Sequence, residues 1–261
     1  GHPDFKVTYA WDGDANLAKV TVEQTQVTGN DKNKESFFDL RVPIGFGYIN
    51  QADELKVLTV RVSEKEQSFY FPLEKKPDFV SFDVGNHYLK TVTLEYPIPE
   101  LKAQLLHDRN PVSRIYAAEA LAKKSSLEAM KALSESLKND GFWGVRVEVV
   151  KQLASVQLDQ VFDVLVEYLS DDNPYVRRAV AQAFGRIKTN FSYEALKKLC
   201  QAGDDSYYVE AAAAASIGSI AATVGEDKPD EIEVIKLFEN ILQSKAGWNE
   251  VVRNGAIAGL A

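Results

Sequence analysis

The sequence contains few of the residues that most often build catalytic and metal sites. Cysteine occurs once, as Cys200, and histidine three times among 261 residues. A single cysteine excludes a disulfide within the chain, and in "YEALKKLCQAG" we interpret the thiol as a small buried apolar group. His2, His87 and His107 are far apart, and none has a partner at the spacing of a metal motif.

Motifs for zinc, nucleotide and acyl-transfer chemistry are absent as well. The patterns H-E-x-x-H, C-x-x-C, G-x-S-x-G, G-x-G-x-x-G and the P-loop do not occur, and "GFGYI" at 45–49 belongs to a strand pattern. We therefore predict no catalytic, cofactor-binding or metal-ligating residue in this chain.

Long apolar runs and an excess of positive charge are also missing. No run approaches the roughly 18 apolar residues of a membrane helix. The net charge is −8, and the basic residues are scattered, which disfavours nucleic-acid binding. We expect no membrane and no nucleic acid among the partners. We expect a cytoplasmic location, which the lone cysteine suits.

Up to about residue 98, apolar residues recur with a period of two. Ala18, Val20 and Val22, for example, alternate with polar residues. Valine, threonine and aromatic residues dominate seven short segments, separated by turn signals such as "DGDAN", "GNDKN" and "NQADE". The pattern predicts an antiparallel β-sandwich of seven strands over residues 1–98.

The period becomes helical at "YPIPELKAQLL", where Pro97 and Pro99 end the last strand. We place a domain boundary here and predict an all-α domain over residues 99–261. One motif recurs five times in it, most fully as "DDNPYVRRAVAQAFGRI" at 171–187. Equivalent positions lie 32, 31, 33 and 43 residues apart, and the last spacing contains the polar insertion "TVGEDKPDE" at 223–231. Such a period, with helical spacing inside it, predicts a solenoid.

The aligned copies share three features. Apolar side chains repeat every four residues, and a small residue follows the last of them. An aspartate precedes the helix near its N-cap, and an arginine follows six residues later. The shared positions are Asp108, Asp140, Asp171 and Asp204, with Gly247 departing, and Arg114, Arg146, Arg177 and Arg253, with Glu210 departing.

We interpret these features as structural. The apolar stripe packs on neighbouring helices, and the small residue lets adjacent repeats approach. Pro111 and Pro174 fall early in the helix, where proline is tolerated. The arginines are expected to pair with aspartates of adjacent repeats as a ladder. The alternative is that this row of charges forms a ligand site.

The pattern D-x-x-P-x-V-R resembles that of HEAT repeats. The resemblance implies a superhelical solenoid of about five helix pairs. The last copy, "VVRNGAIAGLA", stops inside a second helix without a polar cap. We therefore expect a piece of a longer protein, truncated at its C-terminus.

Aromatic residues cluster at the turns between paired helices. They serve either as packed loop anchors or as a contact for a partner or another domain. The residues are Phe142, Trp143, Tyr175, Tyr207, Tyr208 and Trp248.

The domain order and the opening residues resemble the C-terminal region of aminopeptidase N-like zinc metallopeptidases. The shared features are G-x-P before the first strand (Gly1 and Pro3), a Q-x-Q-like strand (Gln24 and Gln26) and V-P-I at 42–44. The resemblance implies a parent that removes N-terminal residues from peptides. Its zinc would lie in a missing N-terminal catalytic domain.

Within such a parent, this segment would be non-catalytic, would hold no cofactor and would shape or gate the substrate chamber. Its partners would be the missing catalytic domain and the peptide substrate. The alternative function is a HEAT-repeat scaffold without enzymatic activity, which binds a protein partner on the solenoid. Relatives that have lost the zinc site fit that alternative.

Overall fold

The computed structural model describes residues 1–26, 37–49, 55–156, 160–223, 229–247 and 250–261. Two β-sheets are followed by helices in a β-then-α-solenoid arrangement, as the sequence predicts. The chain divides into two compact units, Gly1–Asp140 and Gly141–Ala261. The predicted turns at 29–33 and 50–54, most of the insertion at 223–231, and Trp248 lie outside the described residues.

Seven strands form two sheets in the described part of the first unit. One sheet has the order β5-β2-β1-β7 and the other β4-β3-β6. The sheets face each other, since the rings of Phe5 and Phe82 contact with centroids 5.3 Å apart, as do those of Phe46 and Phe71 at 5.0 Å. The strands are β1 (Asp4–Asp12), β2 (Leu17–Gln24), β3 (Leu40–Gly47), β4 (Lys56–Val62), β5 (Glu66–Pro72), β6 (Phe79–Phe82) and β7 (Thr91–Glu95).

The period-two pattern places its apolar residues between the sheets. Ala18, Val20 and Val22 of β2 are completely buried, as the alternation predicts. The pairing is antiparallel with one exception among the described strands, because β7 pairs with β1 in parallel. The chain crosses from β6 in the second sheet to β7 at the edge of the first sheet. There β7 runs parallel to its neighbour β1.

The two glutamines of the Q-x-Q strand hold the sandwich together at one end. The amide nitrogen of Gln24 donates to the carbonyls of Phe38 and Glu64, and its oxygen accepts from the Phe38 N–H. Gln26 donates to the same Gln24 oxygen and accepts from the Asp4 N–H. These side chains satisfy partly buried backbone groups, which explains their presence without any chemical role.

Three helices complete the described part of the first unit, and two of them contact the sandwich. Lys76 pairs with the buried Glu100 of α1 at 2.7 Å. The hydroxyls of Ser81 in β6 and Ser113 in α2 lie 3.2 Å apart. The predicted domain boundary at residues 98–99 stays a prediction. The helices are α1 (Ile98–His107), α2 (Pro111–Lys124) and α3 (Leu127–Asn139).

The helices of the second unit continue the repeat. Val176, Val180 and Phe184 are completely buried, so the predicted apolar stripe is core. The helix before this copy begins as α-helix and tightens into a 3₁₀ helix over Val166–Ser170. The α-helices are α4 (Trp143–Leu153), α5 (Val161–Leu165), α6 (Pro174–Ile187), α7 (Asn190–Ala202), α8 (Tyr207–Ala221), α9 (Glu231–Ser244) and α10 (Val251–Leu260).

The small residue after the stripe allows close approach between second helices. A Cβ atom at Gly185 of α6 would overlap Ser216 of α8, and one at Gly218 of α8 would overlap the backbone of Gly259 in α10. The role predicted for this position is therefore confirmed at both glycines.

Candidate functional site

Three of the four repeated arginines form the predicted ladder with aspartates, whereas Arg253 pairs with Glu250 three residues before it. In three pairs, the Nε–H and Nη2–H groups of an arginine donate to both carboxylate oxygens of the aspartate one repeat later, over 2.7–3.0 Å. The arginine side chains are 14–16% exposed and the aspartates 7–8%. The pairs are Arg114–Asp140 in the first unit, and Arg146–Asp171 and Arg177–Asp204 in the second.

Three of the aspartates, Asp108, Asp171 and Asp204, also order the turn before a second helix, though not as its N-cap. Oδ1 of Asp171 accepts from the Asn173 N–H at 2.8 Å, and the Asn173 side chain then caps α6 by accepting from Tyr175. Oδ1 of Asp108 accepts from the Asn110 N–H at 2.9 Å in the same way, and Asn110 caps α2. The aspartate thus acts through a two-residue turn, while the asparagine satisfies the helix N–H.

One departure from the motif, Glu210, takes part in an ion pair with reversed charges. Glu210 occupies the arginine position of α8, and its Oε2 pairs with Lys245 Nζ at 2.9 Å. Lys245 lies two residues before Gly247, which replaces the repeat's aspartate. The acidic residue at the arginine position thus still pairs with a cation that lies near the aspartate position of the next repeat, which favours a structural ladder over a ligand site.

The pair Arg177–Asp204 shifts the pKa values of both its side chains. Burial acts to raise the pKa of the Asp204 carboxyl. The hydrogen bonds and charge of Arg177, with the Ser206 N–H, outweigh burial, so the pKa lies below its usual range. The hydrogen bonds to Asp204 also raise the pKa of Arg177. Both side chains therefore stay charged near neutral pH.

The aromatic residues at the turns form a second feature of the second unit. Phe142, Trp143, Tyr175, Tyr207 and Tyr208, here called the aromatic edge, are 39–57% exposed. Trp143 contacts Phe142 with ring centroids 5.5 Å apart and stacks on Tyr175 at 4.8 Å. Large aromatic side chains with this exposure are typical of protein interfaces.

Charged groups continue the aromatic edge. The Arg178 guanidinium, one turn after Tyr175 in α6, lies over the Tyr208 ring with its carbon 5.4 Å from the centroid. Asp172 and Asp205 are exposed in the turns before α6 and α8. The edge therefore presents aromatic faces, one guanidinium and two carboxylates, which together suit a polypeptide.

Phe142 stands where two other repeats place a capping asparagine. It is the N-cap of α4 and makes no side-chain cap hydrogen bond, whereas Asn110 and Asn173 cap α2 and α6. An apolar N-cap costs roughly 1 kcal/mol relative to asparagine. Residues that lower the folding stability locally, as Phe142 does at this N-cap, are typical of functional positions.

The residues considered for chemistry lie apart from one another. Cys200 is buried, and burial raises the pKa of its thiol to about 12. His2, His87 and His107 are exposed. Among the described residues, no group of three or more His, Cys, Asp or Glu side chains is placed to hold a metal ion, and no helix is long and apolar enough to cross a membrane.

Sequence reasoning missed a buried ion pair in the first unit. Lys90 Nζ donates to Asp83 Oδ2 and Asn86 Oδ1, both at 2.6 Å, and the charged side chains are 1% and 0% exposed. The ammonium lies 5.8 Å from the centre of the Tyr116 ring in α2. The turn "DVGN" signals the loop, but no periodicity marks Lys90 as buried.

Comparison with known proteins supports the repeat assignment. A model of HEAT repeats matches residues 98–169, 130–218 and 170–261. No curated protein sequence matches significantly. Among solved structures, Legionella pneumophila aminopeptidase A in complex with aspartic acid is similar at 14% identity and a TM-score of 0.60. The likeness covers 98% of this chain and 35% of that chain, so this chain spans about a third of its length.

The complex of CpcE and CpcF of phycocyanin lyase from Nostoc sp. PCC7120 is similar at 22% identity with a TM-score of 0.50. That likeness covers 63% of this chain and 98% of the other. At these identities, both structures show a shared fold alone.

Proposed function

Because this chain belongs to the HEAT-repeat family, we propose that it is a non-catalytic binding module whose aromatic edge contacts a polypeptide. The observation that carries the proposal is the exposure of Phe142, Trp143 and Tyr175 in mutual contact, with Phe142 replacing a capping residue. Aromatic side chains supply large contact areas at small entropic cost, and they dominate the binding energy of many interfaces. Asp172 and Asp205 favour a segment that carries basic side chains.

Peptide selection from a random display library tests the proposal without a known partner. Selected peptides should bind the chain, and Trp143→Ala should weaken their binding by about 2 kcal/mol, or roughly thirtyfold. Phe191→Ala is the matched control, because this aromatic residue is 73% exposed in the same unit but lies beyond the C-terminal end of α6. Equal losses in the two variants would contradict the proposal.

Phe142→Asn separates binding from folding. Asparagine should restore the N-cap of α4 and raise the free energy of unfolding by roughly 1 kcal/mol, while it removes an aromatic contact. We expect a higher melting temperature together with weaker peptide binding. A variant that is both less stable and unchanged in binding would show that Phe142 serves packing instead.

A second candidate function is the C-terminal region of a zinc aminopeptidase, where the module would shape or gate the substrate chamber. The fold likeness to the Legionella aminopeptidase over 98% of this chain favours it. Zinc would then belong to a catalytic domain upstream, and the parent's substrates would be peptides. A parent coding sequence without H-E-x-x-H upstream would eliminate this candidate.

A further inference from the structure

Asp108 is the one aspartate of the motif that pairs with no cation in the described part of the chain. Its three counterparts Asp140, Asp171 and Asp204 each receive an arginine fork from the preceding repeat. The first helix pair, α1 and α2, is preceded by the sandwich, which offers the Ser81 hydroxyl near Ser113 in place of an arginine. Arg114 binds the Asp108 backbone carbonyl, but its Nε–H and Nη2–H groups go to Asp140.

The Asp108 carboxylate is nevertheless fixed by the same turn as the carboxylate of its counterpart Asp171. "DRNP" at 108–111 and "DDNP" at 171–174 form the same turn, in which Oδ1 accepts from the N–H two residues later. In Asp171 that contact leaves both oxygens able to accept the Arg146 fork. Asp108 is 3% exposed, and its buried Oδ2 has no hydrogen-bond partner among the described residues.

Asp108 is one of the residues that line an open cleft of about 640 Å³ within the first unit. Val57 and Val84 contribute apolar walls that suit the methylene stem of a long side chain, and Ser81 and Asn110 contribute polar groups. Arg109 also lines the cleft, beside the carboxylate. Burial raises the pKa of Asp108 despite the nearby hydroxyls of Ser81 and Ser113 and the charge of Arg114, which is the condition that an incoming cation relieves.

We propose that this cleft is an arginine-binding site, in which Asp108 accepts the guanidinium of an arginine from a protein partner as its counterparts accept those of the chain. A guanidinium is favoured over an ammonium because its planar fork matches two carboxylate oxygens, and the three internal pairs all use that fork. This site extends the proposed binding function to the first unit and does not depend on the aromatic edge.

Acetyl-arginine methylamide is the probe, and its lysine counterpart is the matched control. Amide signals of Asn110 and Val112 in the intact chain should shift on titration with the arginine probe, with a dissociation constant on the order of millimolar. The lysine compound should bind several-fold more weakly. Equal affinity for the two compounds, or no saturable shift with either, would overturn the proposal.

Two variants assign the effect to this site. Asp108→Asn keeps an oxygen for the Asn110 N–H but loses the charge, so the arginine probe should bind at least about tenfold more weakly. Val57→Trp places a bulky side chain at a position that is 43% exposed and should block the cleft while Asp108 remains. Undiminished binding in either folded variant would place the probe elsewhere and refute the assignment.

Discussion

At the scale of the residue, Arg177 shows what one side chain of the ladder contributes. Its guanidinium donates to both carboxylate oxygens of Asp204 and to the carbonyls of Asp171 and Asp172, so it joins two successive turns. Arg177→Met would leave the Asp204 carboxylate buried without its counter-ion. We expect a loss of about 3 kcal/mol in the free energy of unfolding at pH 7, measured by urea denaturation.

The loss should depend on pH with a definite sign. The folded-state pKa of Asp204 lies below its usual range, so the stability from the pair is fully present above the ordinary pKa near 4 and is lost as pH falls through the lowered folded value. The gap between the parent chain and Arg177→Met should therefore narrow below about pH 4. Lys151→Met, which breaks a more exposed pair with Glu148, should cost less than about 0.5 kcal/mol. If Arg177→Met and Lys151→Met lowered the free energy of unfolding by similar amounts, the ladder would contribute no more to stability than an exposed ion pair does.

At the scale of the element, the second helices depend on glycine where two backbones meet. Gly218→Ala would bring a Cβ atom into the backbone of Gly259, which cannot move aside as a flexible side chain can. We expect a cost of about 1–3 kcal/mol and faster hydrogen exchange over Val251–Leu260 than over Pro174–Ile187. Gly141→Ala is the control, because a Cβ atom there meets nothing within 4 Å. Uniformly faster exchange in both helices would argue against a local interface.

The sequence predicts features that depend on the repeated pattern better than features that depend on contacts between segments far apart in the chain. The stripe Val176, Val180 and Phe184 repeats at fixed intervals, so burial and even the ladder partners follow from alignment. Lys90 lies outside every period, and its burial depends on Asp83, Asn86 and a helix that begins later in the chain. The parallel pairing of β7 with β1 depends likewise on tertiary arrangement. The aromatic edge is an intermediate case. The sequence predicts that these aromatic residues lie at turns, but it does not predict whether their side chains are packed or exposed to solvent.

At the scale of the whole molecule, the sequence places the domain boundary at residues 98–99, while the compact units divide after Asp140. The contacts of α1 and α2 with the sandwich give a physical reason to test the later division against the predicted boundary. Glu100 is buried against Lys76, and Tyr116 covers the side of the sandwich where the buried Lys90 pairs with Asp83. A fragment of residues 1–98 would expose that ion pair and the apolar surface beneath both helices.

We therefore expect a fragment of residues 1–140 to unfold cooperatively, and a fragment of residues 1–98 to melt at least about 10 °C lower or without a cooperative transition. The thermal midpoints of the two fragments can be compared by circular dichroism at a wavelength where the β-strand signal dominates. In the shorter fragment Lys76 would lose its partner Glu100, and Lys90 would lose the Tyr116 ring that lies over its ammonium, so both side chains would be more exposed to water. Equal midpoints would show that the sandwich is complete at residue 98, and the change of period in the sequence would then mark the true boundary.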